Sequence, residues 1–312
     1  MQYSTFAAID IGSYDVILEI FEISKKQGIR SVDKICHRME LGKDTYTLGK
    51  IRPEMEEELC RVLADFVRIM EGYRVDDYRA AASSAISEAS NSLYVLGKIH
   101  QLTGLSVTVL SNSEQRFLSY KALAAMEDNF NKIIEKGTAI LDLDGGSFQI
   151  SLFDKDALVT TQNIRMGSLR IRERLAGIQS ETEHYEEMVE ELIWNEVSSF
   201  KKMYLKDRKI ENIMLIGDVF TDSVYQNIEE KTTKIISREN FNTWYEKIIR
   251  QSPMELAVKL GIPLENASLM YPSAVIYKCL IDMMGAEHIW IPGVHMTVSY
   301  THLRAHETGR NL

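Results

Sequence analysis

The chain has 312 residues, 45% hydrophobic and 26% charged, with a formal net charge of −9. That length suits about two domains, and the composition is that of an ordinary globular protein. The acidic balance argues against broad nucleic-acid binding, which needs surplus cations to displace counterions, though it leaves room for a local basic pocket.

Cys36, Cys60 and Cys279 lie far apart with no C-x-x-C spacing and read as reduced core thiols. The opening MQYSTFAAID lacks the charged and apolar regions of a signal peptide. No run of about 18 apolar residues is present, so no membrane span and a cytoplasmic location are expected.

Taken in order, Thr5–Ile23 predicts a strand ending at Asp10, a turn at Gly12-Ser13 and a returning strand from Val16. Ile29–Met39 predicts a third strand. Arg52-Pro53 opens a helix carrying Met55, Leu59, Val62, Leu63, Phe66 and Met70 at helical spacing, with Gly72 as its stop. Val75–Ala82 predicts a strand, Ser83–Asn91 a small-residue connection, and the next stretch a helix ending near Gly104. After a short strand at Ser106–Leu110, Ser111 and Glu114 form an S-x-x-E capping box for a helix to about Asp128. Capping is the simplest role for Glu114. Asn129–Lys136 reads as a polar connection.

The second half begins with Thr138–Leu143, a turn at Gly145-Gly146-Ser147, and Phe148–Phe153. A strand at Ala157–Asn163, a helix at Ser168–Leu175, a long helix at Glu181–Leu205 and a buried strand at Asn212–Gly217 follow. Ser252-Pro253-Met254-Glu255 is a helix start. Leu264–Met284 predicts an apolar helix interrupted at Tyr271-Pro272, and Glu287–Ile291 a last strand. The order describes an α/β chain with antiparallel hairpins leading each half. Its domains are expected at residues 1–136 and 137–297, packed with a cleft between them. Residues 298–312 read as a tail foreign to the domain. His302, His306 and Glu307 there offer metal-ligand spacing in a segment of doubtful origin.

AAIDIGS and AILDLDGGS share one plan, with Asp10 and Asp142 at matching positions. Either hairpin alone is an ordinary turn signal. Two copies suggest duplication and a chemistry. Glycines let backbone approach an anion, turn N–H groups address it, and the aspartates hold its cation.

These hairpins, with AASSAISEASN, SNSEQRFLSY, Met39-Glu40-Leu41-Gly42, Arg165-Met166-Gly167 and Asn266–Ile276, resemble the exopolyphosphatase / guanosine pentaphosphate phosphohydrolase (Ppx/GppA) family from about Thr5 to Gly293. The resemblance implies a duplicated ribonuclease-H-like (actin-like ATPase) fold, Mg²⁺, and polyphosphate or guanosine polyphosphate as ligand, with a homodimer as a possible assembly. It also implies a further C-terminal helical domain in full-length members, so the chain looks truncated at the tail.

By the same resemblance, phosphate binding falls to Gly12, Ser13, Tyr14, Ser87, Gly145, Gly146 and Ser147. Metal binding falls to Asp10, Asp142 and Gln149, and water activation to Gln115 with Glu114 beside it. A later glycine-rich loop would be Gly217–Thr221.

The departures gather where chemistry belongs. Gln115 cannot take a proton as a carboxylate does, and losing a general base typically costs about 10²–10⁴-fold in rate. Gln149 removes a charged metal ligand, Ser87 removes an arginine clamp, Tyr14 is bulky, and Asp144 repels phosphate. Glu114 lies about 100° around the helix from Gln115. A weakened phosphatase, a non-catalytic binding module, and a kinase or filament protein of the same fold remain the readings. Gly217-Asp218-Val219-Phe220 is poor for the kinase.

Overall fold

The computed structural model describes residues 3–24, 28–126, 130–176, 185–217, 220–221, 223 and 235–293. The chain divides into two units, one reaching Ala125 and the other spanning Met126–Gly293. This division falls ahead of the expected one at 136/137, so α6 (Phe130–Ile134) belongs to the second unit.

The first unit holds a sheet of order β3-β2-β1-β4-β5, built from β1 (Ser4–Ile11), β2 (Asp15–Ser24), β3 (Gly28–Arg38), β4 (Asp77–Ala82) and β5 (Val107–Val109). β1, β2 and β3 run antiparallel, and β1, β4 and β5 run parallel. Alternation along β1 and β2 buries Ile9, Ile11, Val16, Leu18 and Ile20 with Leu59, Leu63 and Phe66 of α2 (Pro53–Tyr73) and Val95 and Ile99 of α4 (Ser92–Thr103). Each such side chain contributes about 1.5–3 kcal/mol by leaving water. The opposite face puts Phe6, Ala8 and Ala81 in a cluster with Leu118 of α5 (Asn112–Met126).

The second unit holds a sheet of order β10-β11-β9-β6-β7-β8. Its strands are β6 (Thr138–Leu143), β7 (Phe148–Asp154), β8 (Ala157–Ile164), β9 (Asn212–Ile216), β10 (Ile235–Ser237) and β11 (His288–Trp290). Reading 8-7-6-9-11 against 3-2-1-4-5 gives the same pairings and directions, so the duplication is architectural. One core joins this sheet to α7 (Ser168–Leu175), α8 (Tyr185–Phe200) and α11 (Leu264–Met284). No described helix is long and apolar enough to cross a membrane.

Several expectations need correction. α2 runs through Gly72 and ends at Arg74, which takes the left-handed cap itself at φ 53° while Val75 N–H bonds Met70 O. α11 is continuous through Pro272. It buries Val275, Ile276, Tyr277, Leu280 and Ile281, and this packing outweighs the roughly 3 kcal/mol a helix-interior proline costs. Phe130–Ile134 is helical where a connection was expected.

α8 gives way to a π turn at Lys201–Leu205, and residues 181–184 of the expected long helix lie outside the described residues. Three elements went unread: α1 (Leu41–Leu48), the short β10, and α9 (Arg238–Ile249), whose cap is Ser237 accepting Asn240 N–H. Two further described helices are α3 (Ser84–Ser87) and α10 (Pro253–Leu260), the latter opened by the expected Ser252/Glu255 capping box. Asp218, Val219 and the tail with His302, His306 and Glu307 lie outside the described residues.

Candidate functional site

The first corner follows from the ends of β1, β4 and β5. Ile11 pairs with Ala82 and Ala82 with Val109, so these parallel strands finish side by side. Ser83 N–H bonds Ile11 O at 3.1 Å, and Leu110 N–H bonds Ala82 O at 3.1 Å. The segments that follow each strand therefore share one edge of the sheet, the edge where open α/β sheets bind ligands. They carry Gly12–Asp15, Ser83–Ser87 and Ser111–Gln115.

The β1–β2 turn is Gly12-Ser13-Tyr14-Asp15, closed by Gly12 N–H on Asp15 O at 2.8 Å. A Cβ on Gly12 would lie 2.9 Å from that oxygen, which explains the glycine. α1 bolts the turn in place: Gly42 N–H bonds Ser13 O at 2.7 Å and Met39 N–H bonds Tyr14 O at 3.0 Å. Tyr14 is buried, and Ser13 is 0% exposed. The Ser13 hydroxyl faces Tyr46 Oη at 2.6 Å and Ser84 Oγ at 3.3 Å, and Tyr46 Oη lies 2.9 Å from Ser84 Oγ. Ser87 is exposed at the end of α3, its hydroxyl 3.4 Å from Ser84 O.

Asp10 pairs with Ala81 and sits two residues after Ala8, so it shares the sheet face that meets Leu118 of α5. Gln115 lies one turn before Leu118 on the same helical stripe, toward the strand ends, and is half-buried. Glu114 is exposed and committed elsewhere. Its Oε2 accepts Ser111 N–H at 2.9 Å and Ser111 Oγ–H at 2.7 Å. The backbone bond first, then the hydroxyl, hold its carboxyl below the usual range and make it a weaker base.

The second corner repeats the first in the register that the match of Asp10 with Asp142 sets. Asp10 opposes Ile17, and Asp142 opposes Gln149. The turn Asp144–Ser147 is closed by Asp144 N–H on Ser147 O at 2.9 Å, so Asp144, rather than Gly145, stands where Gly12 stands. Gly145 N–H donates to Asp144 Oδ1 at 2.6 Å. Arg170 braces the turn through N–H on Gly145 O at 2.9 Å and Nε–H on Gly146 O at 2.8 Å.

Two further glycines let backbone close around this corner. A Cβ on Gly167 would lie 2.2 Å from Asp144 O. Gly217, at φ +111°, would place one 2.3 Å from Leu143 O and 3.0 Å from Asp142 Oδ1. Gln149 is 5% exposed and pairs with Asn163 on β8, whose Oδ1 is buried with no hydrogen-bond partner among the described residues.

Within each unit, then, the structure brings the expected residues to one edge. Asp10, Gly12, Ser13, Tyr14 and Gln115 gather in the first, and Asp142, Gly145, Gly146, Ser147 and Gln149 in the second. Ser87 stands apart on the surface. Tyr46, Asn163 and Arg170 went unread. The Ser83-Ser84 pair at the start of α3 is the local signal for the hydroxyl cluster.

The family profile described as the Ppx/GppA phosphatase family matches residues 19–295. The chain is 21% identical over 310 residues to a bifunctional 3-dehydroquinate synthase/phosphatase of Fusobacterium nucleatum, covering 91% of this chain and 44% of that protein. It is 25% identical over 144 residues to exopolyphosphatase 1 of Mycobacterium leprae, covering 46% of this chain and 41% of that protein. The chain thus spans under half the length of these relatives. Among solved structures, an exopolyphosphatase from Cytophaga hutchinsonii superposes with TM-score 0.86 at 16% identity, covering 97% of this chain and 98% of that one. The Aquifex aeolicus Ppx/GppA family member superposes with TM-score 0.77 at 18% identity, covering 98% and 99%. The fold is therefore the two-domain, actin-like ATPase type.

Proposed function

From the premise that this chain belongs to the Ppx/GppA phosphatase family, we propose that it binds phosphoanhydride chains and hydrolyses their terminal anhydride weakly. The ligand class is inorganic polyphosphate or a guanosine polyphosphate such as pppGpp. The repeated corner carries this reading: an aspartate at one register of two equivalent hairpins, each beside a turn whose backbone is held for close approach.

Mg²⁺ is part of the proposal. Among the described residues no three His, Cys, Asp or Glu side chains cluster, so no all-protein cage is present there. Mg²⁺ needs less, because one or two carboxylates suffice when water and substrate phosphates complete its shell. The second corner suits it chemically. Asp142 supplies a carboxylate, Gln149 an amide opposite, and Asn163 a buried oxygen with no hydrogen-bond partner among the described residues. When bound, the ion offsets charge on the phosphate oxygens.

The chain's own residues account for weak turnover. Gln115 can orient a water by hydrogen bonding but cannot remove its proton. Glu114 is held by Ser111 and is a poor substitute. These two facts also favour a second reading, a regulatory homologue that binds phosphate or nucleotide without hydrolysis.

Phosphate release and equilibrium binding, measured with Mg²⁺ on tripolyphosphate, long-chain polyphosphate and pppGpp, separate the readings. Slow release supports the phosphatase, and binding without release supports the regulator. Binding of none of the three rejects both.

A further inference from the structure

We propose that Asn163 is a positioning residue for the second corner: its side-chain oxygen accepts one N–H of the Gln149 amide and so turns the amide's own oxygen toward a cation held beside Asp142. This inference rests on the reading of that corner as a cation site. It sets Asn163 behind Gln149 rather than on the ion, and it gives a reason for an amide at position 149.

The strand register supplies the geometry. Asp142 on β6 pairs with Gln149 on β7, and Gln149 pairs with Asn163 on β8. Leu141, Leu143, Phe148, Ile150 and Ile164 of the same strands belong to the core. Alternation therefore puts Asp142, Gln149 and Asn163 in one row on the opposite face. Directly opposed residues of antiparallel strands have Cβ atoms about 4.5–5.5 Å apart, close enough for their side chains to meet. Gln149 thus has a carboxylate on one flank and an asparagine on the other.

The next row on that face closes its own polar account. Ile140 pairs with Ser151 and Ser151 with Thr161, and the two hydroxyls lie 3.1 Å apart in a hydrogen bond. The Gln149 row stays open. Asn163 Oδ1 is buried with no hydrogen-bond partner among the described residues, a costly state for an acceptor. The amide nearest to it in register is that of Gln149, a side chain only 5% exposed.

A carboxamide is two-ended, with donors on its nitrogen and an acceptor at its oxygen. When Gln149 Nε2–H meets Asn163 Oδ1 on the β8 side, the rigid amide plane sends Oε1 to the β6 side, where Asp142 lies. A carboxylate at 149 has acceptors at both ends and no proton for Asn163 Oδ1. The row is therefore matched to an amide. Asn163 stands to Gln149 as an outer residue that orients a metal ligand.

The test is binding of Mn²⁺ alone, which suits the same oxygen ligands as Mg²⁺, to wild type, Asn163→Ala, Gln149→Ala and the double variant. Loss of the free-ion electron paramagnetic resonance signal reads affinity, and melting curves show that each variant is folded. The net worth of one hydrogen bond predicts that Asn163→Ala weakens binding about two- to tenfold. Gln149→Ala also weakens it, and adding Asn163→Ala then changes nothing more, because Asn163 acts through the amide. Asn163→Val, whose side chain suits a strand, should reproduce the loss and carries the test if the alanine variant does not fold. Unchanged binding in the folded Asn163 variants overturns the proposal. So does an Asn163 penalty that adds in full to that of Gln149→Ala, which makes Asn163 a ligand in its own right. No Mn²⁺ binding by wild type instead rejects the cation reading of the corner, and this inference falls with it.

Discussion

Asp144 is the residue whose replacement should most improve ligand binding. Its Oδ1 sits 2.6 Å from Gly145 N, on the turn donor that a phosphate oxygen would use. The carboxylate therefore acts as a built-in competitor and repels whatever displaces it. Two unit charges about 4 Å apart repel by ~1 kcal/mol in water and ~4 kcal/mol at an effective dielectric near 20. Asp144 is half-buried, which places its effect between those limits.

Taking about 1.5 kcal/mol, Asp144→Asn should tighten tripolyphosphate binding about tenfold. Asp144→Gly should tighten it further, because it also releases the Gly145 N–H. Titration calorimetry at two salt concentrations reads both effects. The gain should shrink at higher salt, since exposed charges are screened within about 10 Å at 0.1 M. Binding unchanged in both variants would refute the competitor argument. Weaker binding in both would mean that Asp144 helps to hold the cation.

Gly167→Ala should lower the melting temperature and weaken phosphate binding together, because its Cβ would meet backbone atoms Asp144 O at 2.2 Å and Gly145 O at 2.4 Å. Overpacking of this sort costs about 1–3 kcal/mol, and an unchanged melting curve would show that the corner is loose. Glu186 is pushed above the ordinary carboxyl value of 4.5 by burial first, then by Glu190, Glu246 and Glu187, with Lys278 opposing. A raised carboxyl gives its full stability below 4.5 and loses it as pH climbs through the folded value. Glu186→Gln should therefore leave acid stability alone and raise the denaturation midpoint near neutral pH. A lower midpoint at neutral pH would contradict this. Cys36 lies exposed on β3 rather than in the core, yet desolvation of its sulfur by the surrounding chain first, then the Asp15 carboxylate 3.5 Å away, push its thiol up to about 12. Its thiolate fraction at pH 8 should be on the order of 10⁻⁴. Alkylation should be slow and partly restored by Asp15→Asn, whereas fast wild-type labelling would refute it.

The parts of the fold legible in the sequence were those written in local chemistry. The two hairpins, the Ser111/Glu114 and Ser252/Glu255 boxes and the alternating strands all declare themselves within a few residues. Gly72 and Pro272 misled because their local preferences were overruled. α2 and α11 keep burying apolar side chains past them. α1 was hidden for a related reason. It is a short helix fixed by contacts with the distant Ser13 and Ala85, which no periodicity reports.

The site divided along the same line. Asp10 and Asp142 are readable as a repeat, which already sets Asp144 against Gly12, and the hydrogen-bonded turns have that same register. Tyr46 and Ser13 are 33 residues apart in the chain and meet only in the fold. Arg170 was passed over because its role is to hold backbone carbonyls, a task that leaves no mark on residue spacing.

The central claim is that a phosphate site persists while its proton acceptor has become an amide. Phosphate release from polyphosphate with Mg²⁺, in wild type and Gln115→Glu, tests it most directly. Restoring a general base predicts a rise of about a hundredfold or more in rate with little change in affinity. An unchanged rate in a variant that still binds would contradict the assignment of Gln115, and brisk wild-type turnover would contradict the account of impairment.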